Sequence, residues 1–160
     1  MKAVYAGSKT YQLINDRDHA IGSLIYQNFY SYRSVITTDA IGSIDMIPRP
    51  WGSNIRIVQD NCDLGEAKMK WWSTSLDLKF KDRGGIFTLK KTGFWKSRFV
   101  LIDQEKVQVL DLTPVFRWKT MRHDFEILTK HGARYAPEPH TILIAVYCAN
   151  YMLALASAAT

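Results

Sequence analysis

Residues Thr141–Thr160 read TILIAVYCANYMLALASAAT, a run without one charged side chain. It is apolar on every face, so it does not fit an amphipathic surface helix and must be surrounded by protein or by lipid. A helix over Ile142–Ala158 is roughly 26 Å long at 1.5 Å per residue, the short end of a bilayer span. Three details favour burial in protein over a tail anchor. Asn150 lies mid-segment, where hydrocarbon offers its amide no partner. The preceding flank carries Glu138 and His140 rather than the Lys/Arg cluster that fixes a span. Six alanines between Ala145 and Ala159 make the helix thin enough to thread a narrow interior. Pro137 and Pro139 break the chain ahead of it, and Thr141 is the expected N-cap.

Upstream, strand-like pieces alternate with turn residues. They are Lys2–Ala6, Thr10–Asn15, Ile21–Tyr32, Val35–Thr38, Ile41–Ile47, Asn54–Gln59, Glu66–Trp71, Ser75–Lys81, Ile86–Lys91, Phe94–Ile102, Val107–Leu112, Val115–Lys119 and Arg122–Leu128. Leu76, Leu78 and Phe80 alternate with Asp77, Lys79 and Lys81, the period of a strand with one wet face. A loose repeat recurs at turns: an apolar pair, an Asp, then an apolar-Gly step (Asp16/Gly22, Asp39/Gly42, Asp60/Gly65), with Asp103 a version lacking the glycine. Each unit reads as a hairpin in which Asp closes the turn and Gly relieves crowding on the return. About twelve antiparallel strands and one uncharged helix predict a mainly β fold. A closed barrel removes sheet edges, and residues 141–158 fill its lumen. With no linker or low-complexity run, residues 1–160 form one expected domain.

These features, the Asp-turn-Gly hairpins and the terminal Ile142–Ala158 helix, resemble the tubby C-terminal-like superfamily. That superfamily joins tubby-like domains, LURP-one-related proteins and phospholipid scramblases. The resemblance implies a twelve-stranded barrel around a hydrophobic C-terminal helix and a non-enzymatic role at membranes, with basic residues meeting phosphoinositide headgroups. Scramblases carry an acidic calcium-binding segment before the last helix. Residues 130–135, KHGARY, have no carboxylate there, so neither calcium dependence nor lipid flipping carries over.

Net charge is +6, and it is uneven. From Lys68 to Arg98 nine basic residues are opposed only by Asp77 and Asp82, which concentrates the partner question there. Within that stretch Lys79, Lys81, Arg83, Lys90, Lys91, Phe94, Trp95, Lys96 and Arg98 form the candidate lipid- or anion-binding set. Ammonium groups suit lipid phosphates, Trp95 suits headgroup depth, and Arg83 and Arg98 can fork onto a phosphate. The plainer reading makes Phe94 and Trp95 core and rim residues beside solvated lysines. The expected partner is an anionic lipid headgroup or an acidic protein surface. Nucleic acid is disfavoured, because no helix-turn-helix, zinc module or aromatic RNA-binding strand is present. Trp71-Trp72 straddles two strand faces.

No catalytic residue, cofactor or metal is expected. No Gly-x-Ser-x-Gly elbow exists, and Gly7-Ser8-Lys9-Thr10 lacks the spacing of a phosphate loop. His19, His123, His131 and His140 are dispersed, and Asp60–Glu66 places Cys62 and Leu64 where a calcium loop needs oxygen. His123 on the barrel rim is the one residue an enzymatic reading could use. The start, MKAVYAGSKTYQ, lacks the apolar run of a secretory signal, and two cysteines make no disulfide framework. The expected location is cytoplasmic, peripheral at a membrane, without a transmembrane span.

Overall fold

A computed structural model describes residues 1–28, 30–50, 54–70, 74–81, 85–93, 97–130 and 137–158. Twelve strands precede one helix: β1 (Lys2–Gly7), β2 (Thr10–Ile14), β3 (Ala20–Tyr26), β4 (Ser34–Thr38), β5 (Gly42–Pro48), β6 (Asn54–Gln59), β7 (Cys62–Lys70), β8 (Ser75–Phe80), β9 (Ile86–Thr92), β10 (Arg98–Ile102), β11 (Gln108–Arg117), β12 (Arg122–Thr129) and α1 (Pro139–Ala158). Each strand pairs antiparallel with the next, and β1 pairs with β12, so the sheet closes into a barrel. No edge is left to template another chain.

The inward residues of the strands and nearly half of α1 form one core. Leu24, Ile36, Ile57, Leu76, Leu101 and Phe125 face the lumen, and α1 is buried from His140 to Ala149 and again at Met152. The expected lumen helix is thus the observed one. Asn150 meets its partner inside the barrel, where its Nδ2 donates to the Tyr26 hydroxyl at 3.3 Å. Packing is closest where small residues admit the helix. A Cβ on Gly22 in β3 would stand 2.9 Å from Leu143 Cδ1 and 3.1 Å from the Thr37 carbonyl oxygen.

Four boundaries differ from expectation. α1 begins at Pro139, so Thr141 lies inside the helix rather than capping it; a first-turn proline loses only an N–H that would have had no helical acceptor. The aromatic run Ile21–Tyr32 breaks at Tyr26. There the Asn28 side chain accepts from the Ser31 N–H, and Tyr32 turns left-handed at φ +53°. Pieces Val107–Leu112 and Val115–Lys119 merge into β11 across Pro114. Pairing of β10 with β11 stops at Phe99↔Leu112, so from Thr113 onward β12 alone pairs with β11. A proline costs little where one side of the ladder is already unused. β7 begins at Cys62, four residues earlier than expected, carried by the Asp60-Asn61 turn at φ +48° and +64°.

Strand parity gives the barrel two distinct ends. The connections β1–β2, β3–β4, β5–β6, β7–β8, β9–β10 and β11–β12 all lie at one end, and the other five turns lie at the opposite end with the segment leading into α1. The helix runs from this second, threading end to the first. Its last turns emerge there, with Leu155 44 % exposed, so the first end is the exit mouth.

Candidate functional site

The residues singled out between Lys79 and Arg98 do not form one cluster. In β8 the outward Lys79 stands opposite Glu66 of β7, towards the threading end. Lys81 lies at that same end and pairs with Asp63 at 3.0 Å. The Lys81 ammonium holds the Asp63 carboxyl below its ordinary value. Lys90, exposed, and Lys91, half-buried opposite Phe99, lie at the exit-mouth end of β9. Arg98 opens β10 on the same side, but its guanidinium is committed. Its Nε donates to Asp111 Oδ1 at 3.2 Å and its Nη2 to Asp111 Oδ2. Lys130 adds a second cation 3.5 Å from that carboxylate. Arg83, Phe94, Trp95 and Lys96 lie outside the described residues, as do Trp71 and Trp72.

Carboxylates from outside the Lys68–Arg98 stretch therefore oppose it in space. Asp63, Glu66 and Asp111 come from outside it, and Asp77 within it accepts from Lys70 at 2.8 Å and from Thr88 Oγ1 at 2.9 Å. The sequence window overstates the charge presented by the outer face of β7 to β10.

A stronger concentration lies at the exit mouth. Among the described residues, the connections there contain Lys9, Arg33, Arg49 and Lys119 and no Asp or Glu; Arg117 and Arg122 stand at the hairpin shoulders, Arg117 paired with Asp124. Among the described residues of the threading-end connections, seven carboxylates (Asp16, Asp18, Asp39, Asp60, Asp103, Glu105 and Glu138) stand with four bases (Arg17, Lys81, Lys106 and Lys130). The exit mouth also presents apolar groups. Trp118 is 80 % exposed at the β11–β12 tip, beside Met121 and Phe116, and the Phe116 and Trp118 rings meet edge-on at 5.0 Å. The chain's other tryptophans, Trp51, Trp71, Trp72 and Trp95, lie outside the described residues. The segment Phe116-Arg117-Trp118-Lys119 alternates aromatics and cations. It escapes sequence reading because the run scans as strand and sits outside the most basic window.

Within the mouth lies a cavity of about 380 Å³, lined by Tyr11, Tyr26, Tyr32, Met121, Arg122, His123, Asn150, Leu153, Ala154 and Ser157. Asn150 meets the phenols of Tyr11 and Tyr26. Burial pushes the Tyr11 hydroxyl up to about 12 and raises those of Tyr26 and Tyr32, so all three stay protonated at neutral pH. Burial lowers the His123 imidazole, whose ring packs against Phe116 at 5.1 Å. The neighbouring Asp124 takes other partners, the Tyr5 N–H at 2.9 Å and Arg117 Nε at 2.6 Å, so the adjacent pair forms no dyad. Among the described lining residues there is no carboxylate or thiol.

Comparison with protein-family models, curated proteins and solved structures finds no match. The functional reading therefore rests on this geometry.

Proposed function

We propose that the chain is a non-enzymatic module that attaches to anionic membrane surfaces with its exit mouth toward the lipid. We also propose kinship with the tubby C-terminal-like superfamily, supported by a closed twelve-stranded barrel around a C-terminal helix. The observation that carries the attachment is the polarity of the connections: among the described residues, bases without carboxylates and exposed apolar side chains at the exit mouth, and a mixed set in which carboxylates outnumber bases at the other end. Each basic residue near an anionic leaflet contributes about 1 kcal/mol, falling off within a Debye length. Trp118 and Met121 at the tip add interfacial burial. Of the Lys79–Arg98 set, Lys90 and Lys91 lie at the exit-mouth end, while Lys79 and Lys81 lie at the threading end.

Sedimentation with vesicles of phosphatidylcholine, with and without phosphatidylserine, tests the reading. Recovery is expected only with the anionic lipid and is expected to fall as salt rises. The double reversal Lys9→Glu/Lys119→Glu should abolish it, whereas Lys106→Glu at the threading end should not. Equal recovery on both vesicle types at all salt concentrations overturns it. Capture by an acidic protein with no vesicle binding would favour a protein-interaction module instead.

A further inference from the structure

We infer that Thr120, at the tip of the β11–β12 hairpin, is a phosphorylation site for a basophilic serine/threonine kinase, and that its modification releases the exit mouth from an anionic surface. The acceptor assignment stands on the hairpin alone; the release deepens the attachment reading and rests on it. The tip reads Arg117-Trp118-Lys119-Thr120-Met121. Among all serines and threonines in the sequence, only Thr120 has an arginine three residues before it. Kinases choose acceptors by charge pattern, and carboxylates in a kinase cleft take a guanidinium as a forked partner. Arg117 Nε donates to Asp124 Oδ2 at 2.6 Å, yet the side chain is still 60 % exposed, so the guanidinium stays within reach of a second carboxylate.

The hydroxyl stands where an enzyme can reach it. Every residue from Val115 to Met121 is exposed. The ladder of the hairpin ends at Arg117↔Arg122, so Trp118, Lys119, Thr120 and Met121 project beyond it. What fixes Thr120 there is slight: its N–H and its Oγ both donate to the Arg117 carbonyl, at 3.2 and 3.4 Å. Among the described residues β10 leaves β11 at Leu112, so the tip can straighten into a kinase cleft without opening the ladders over the core. In the transfer, Thr120 Oγ attacks the γ-phosphorus of ATP and the bond to the β-phosphate oxygen breaks. ADP leaves, and the hydroxyl proton passes to the kinase's catalytic carboxylate. The product carries a charge of about −1.5 to −2. It sits between Lys119 and Met121, and it offsets roughly two of the bases that draw the mouth to lipid. A dianion at that point also holds Trp118 and Met121 out of the headgroup layer. An offset of two basic residues weakens vesicle partition roughly thirtyfold.

Incubation of the intact chain with Mg·ATP and the catalytic domain of a kinase selective for arginine three residues before its acceptor tests the site, with peptide mass spectrometry as the readout. One phosphoryl group is expected on the peptide that holds Thr120, and none on that peptide in Thr120→Val. Arg117→Gln should slow incorporation roughly tenfold or more, the scale of one lost charge-assisted pair. Arg117→Lys keeps a cation beside Asp124, and with it the hairpin, and should slow incorporation as well. No incorporation at Thr120 in the natural chain, or an unchanged rate in both Arg117 variants, overturns the proposal. Vesicles of phosphatidylcholine with phosphatidylserine separate it from the attachment reading. The phosphorylated chain should bind them far more weakly than the unmodified chain. If Thr120 is modified and both forms bind alike, attachment stands and the release falls. If Thr120 is modified and the unmodified chain does not bind, the acceptor site stands, and attachment falls together with the release.

Discussion

At Asp111 a carboxylate faces outward from β11 yet is 1 % exposed, because Arg98 and Lys130 lie over it. Removing either side of this group has unequal consequences. Arg98→Ala leaves a covered carboxylate with Lys130 alone at 3.5 Å and should cost about 3 kcal/mol. Asp111→Ala leaves two cations that are each nearly half exposed and can hydrate, so about 1 kcal/mol is expected. Urea unfolding of the two variants gives the order, and a larger loss for Asp111→Ala would count against it. The repeat of Asp and Gly was visible in sequence, but its physical reading holds only in places. At Asp103 the carboxylate does close its turn, accepting from Glu105 and Val107 N–H groups at 3.0 and 2.8 Å. In the first unit Asn15 performs that task, accepting from Arg17 and His19, while Asp16 pairs with the N-terminal ammonium. Gly65 serves neither turn nor flexibility. A Cβ there would lie 2.1 Å from the Lys79 carbonyl oxygen, so β7 and β8 approach too closely for any side chain. Gly65→Ala should therefore destabilise by about 3 kcal/mol, read as a lowered denaturation midpoint with an unchanged slope. Spacing cannot distinguish these roles, because each depends on which strand lies alongside.

Among the elements, the junction of β1 with β12 is the least regular. Its ladder holds Lys2↔Glu126 and Ala3↔Phe125, and beyond Ala3 the Asp124 side chain takes the Tyr5 N–H in place of a backbone carbonyl. Asp124→Ala should cost about 2 kcal/mol by leaving that donor unsatisfied, and hydrogen exchange should show faster opening at Tyr5 than at Leu24 in the β3 ladder. Equal protection would argue against a weak seam. The helix was the most legible element, since an uncharged run apolar on all faces has few places to lie. Ala145 and Ala149 are fully buried against the barrel wall. Ala149→Leu should overpack the lumen by about 2 kcal/mol, whereas Ala156→Leu on the emergent turn should be nearly neutral in thermal denaturation. Strand existence was legible from the period of two. Strand ends were not, because β11 runs through a proline that only its long overhang past β10 makes acceptable.

For the molecule as a whole, the charge map was read in sequence windows and is organised by parity. Lys68 to Arg98 is basic in sequence, yet Asp63, Glu66 and Asp111 come back to face it, while bases scattered from Lys9 to Arg122 gather at one mouth. That pattern is present in the sequence but invisible until the strands are numbered. The lumen also sets an upper pH limit. Tyr11 is pushed up to about 12, Tyr26, Tyr32, Tyr147 and Tyr151 are raised, and the Cys148 thiol is raised above its ordinary 9.0, all chiefly by burial. An acid whose folded value is raised keeps its proton longer in the folded state. The contribution of these groups to stability is therefore flat below about pH 9 and lost as pH climbs through 10 toward the folded values. Tyrosinate absorbance from the buried phenols should appear only in step with loss of the sheet's circular dichroism; full ionisation with the sheet intact would exclude this account.

One consequence of the helix lying inside the barrel concerns time. Every strand precedes Pro139–Ala158 in the chain, so during synthesis the wall exists before its filling. A hoop of twelve strands around an empty centre has nothing to close upon, and the weak β1–β12 junction gives it a place to stand ajar. Pulse labelling during refolding should protect β3 and β4, which cradle α1, before the amides at that junction. The chain's first strand then waits, unlatched, for its final helix to arrive.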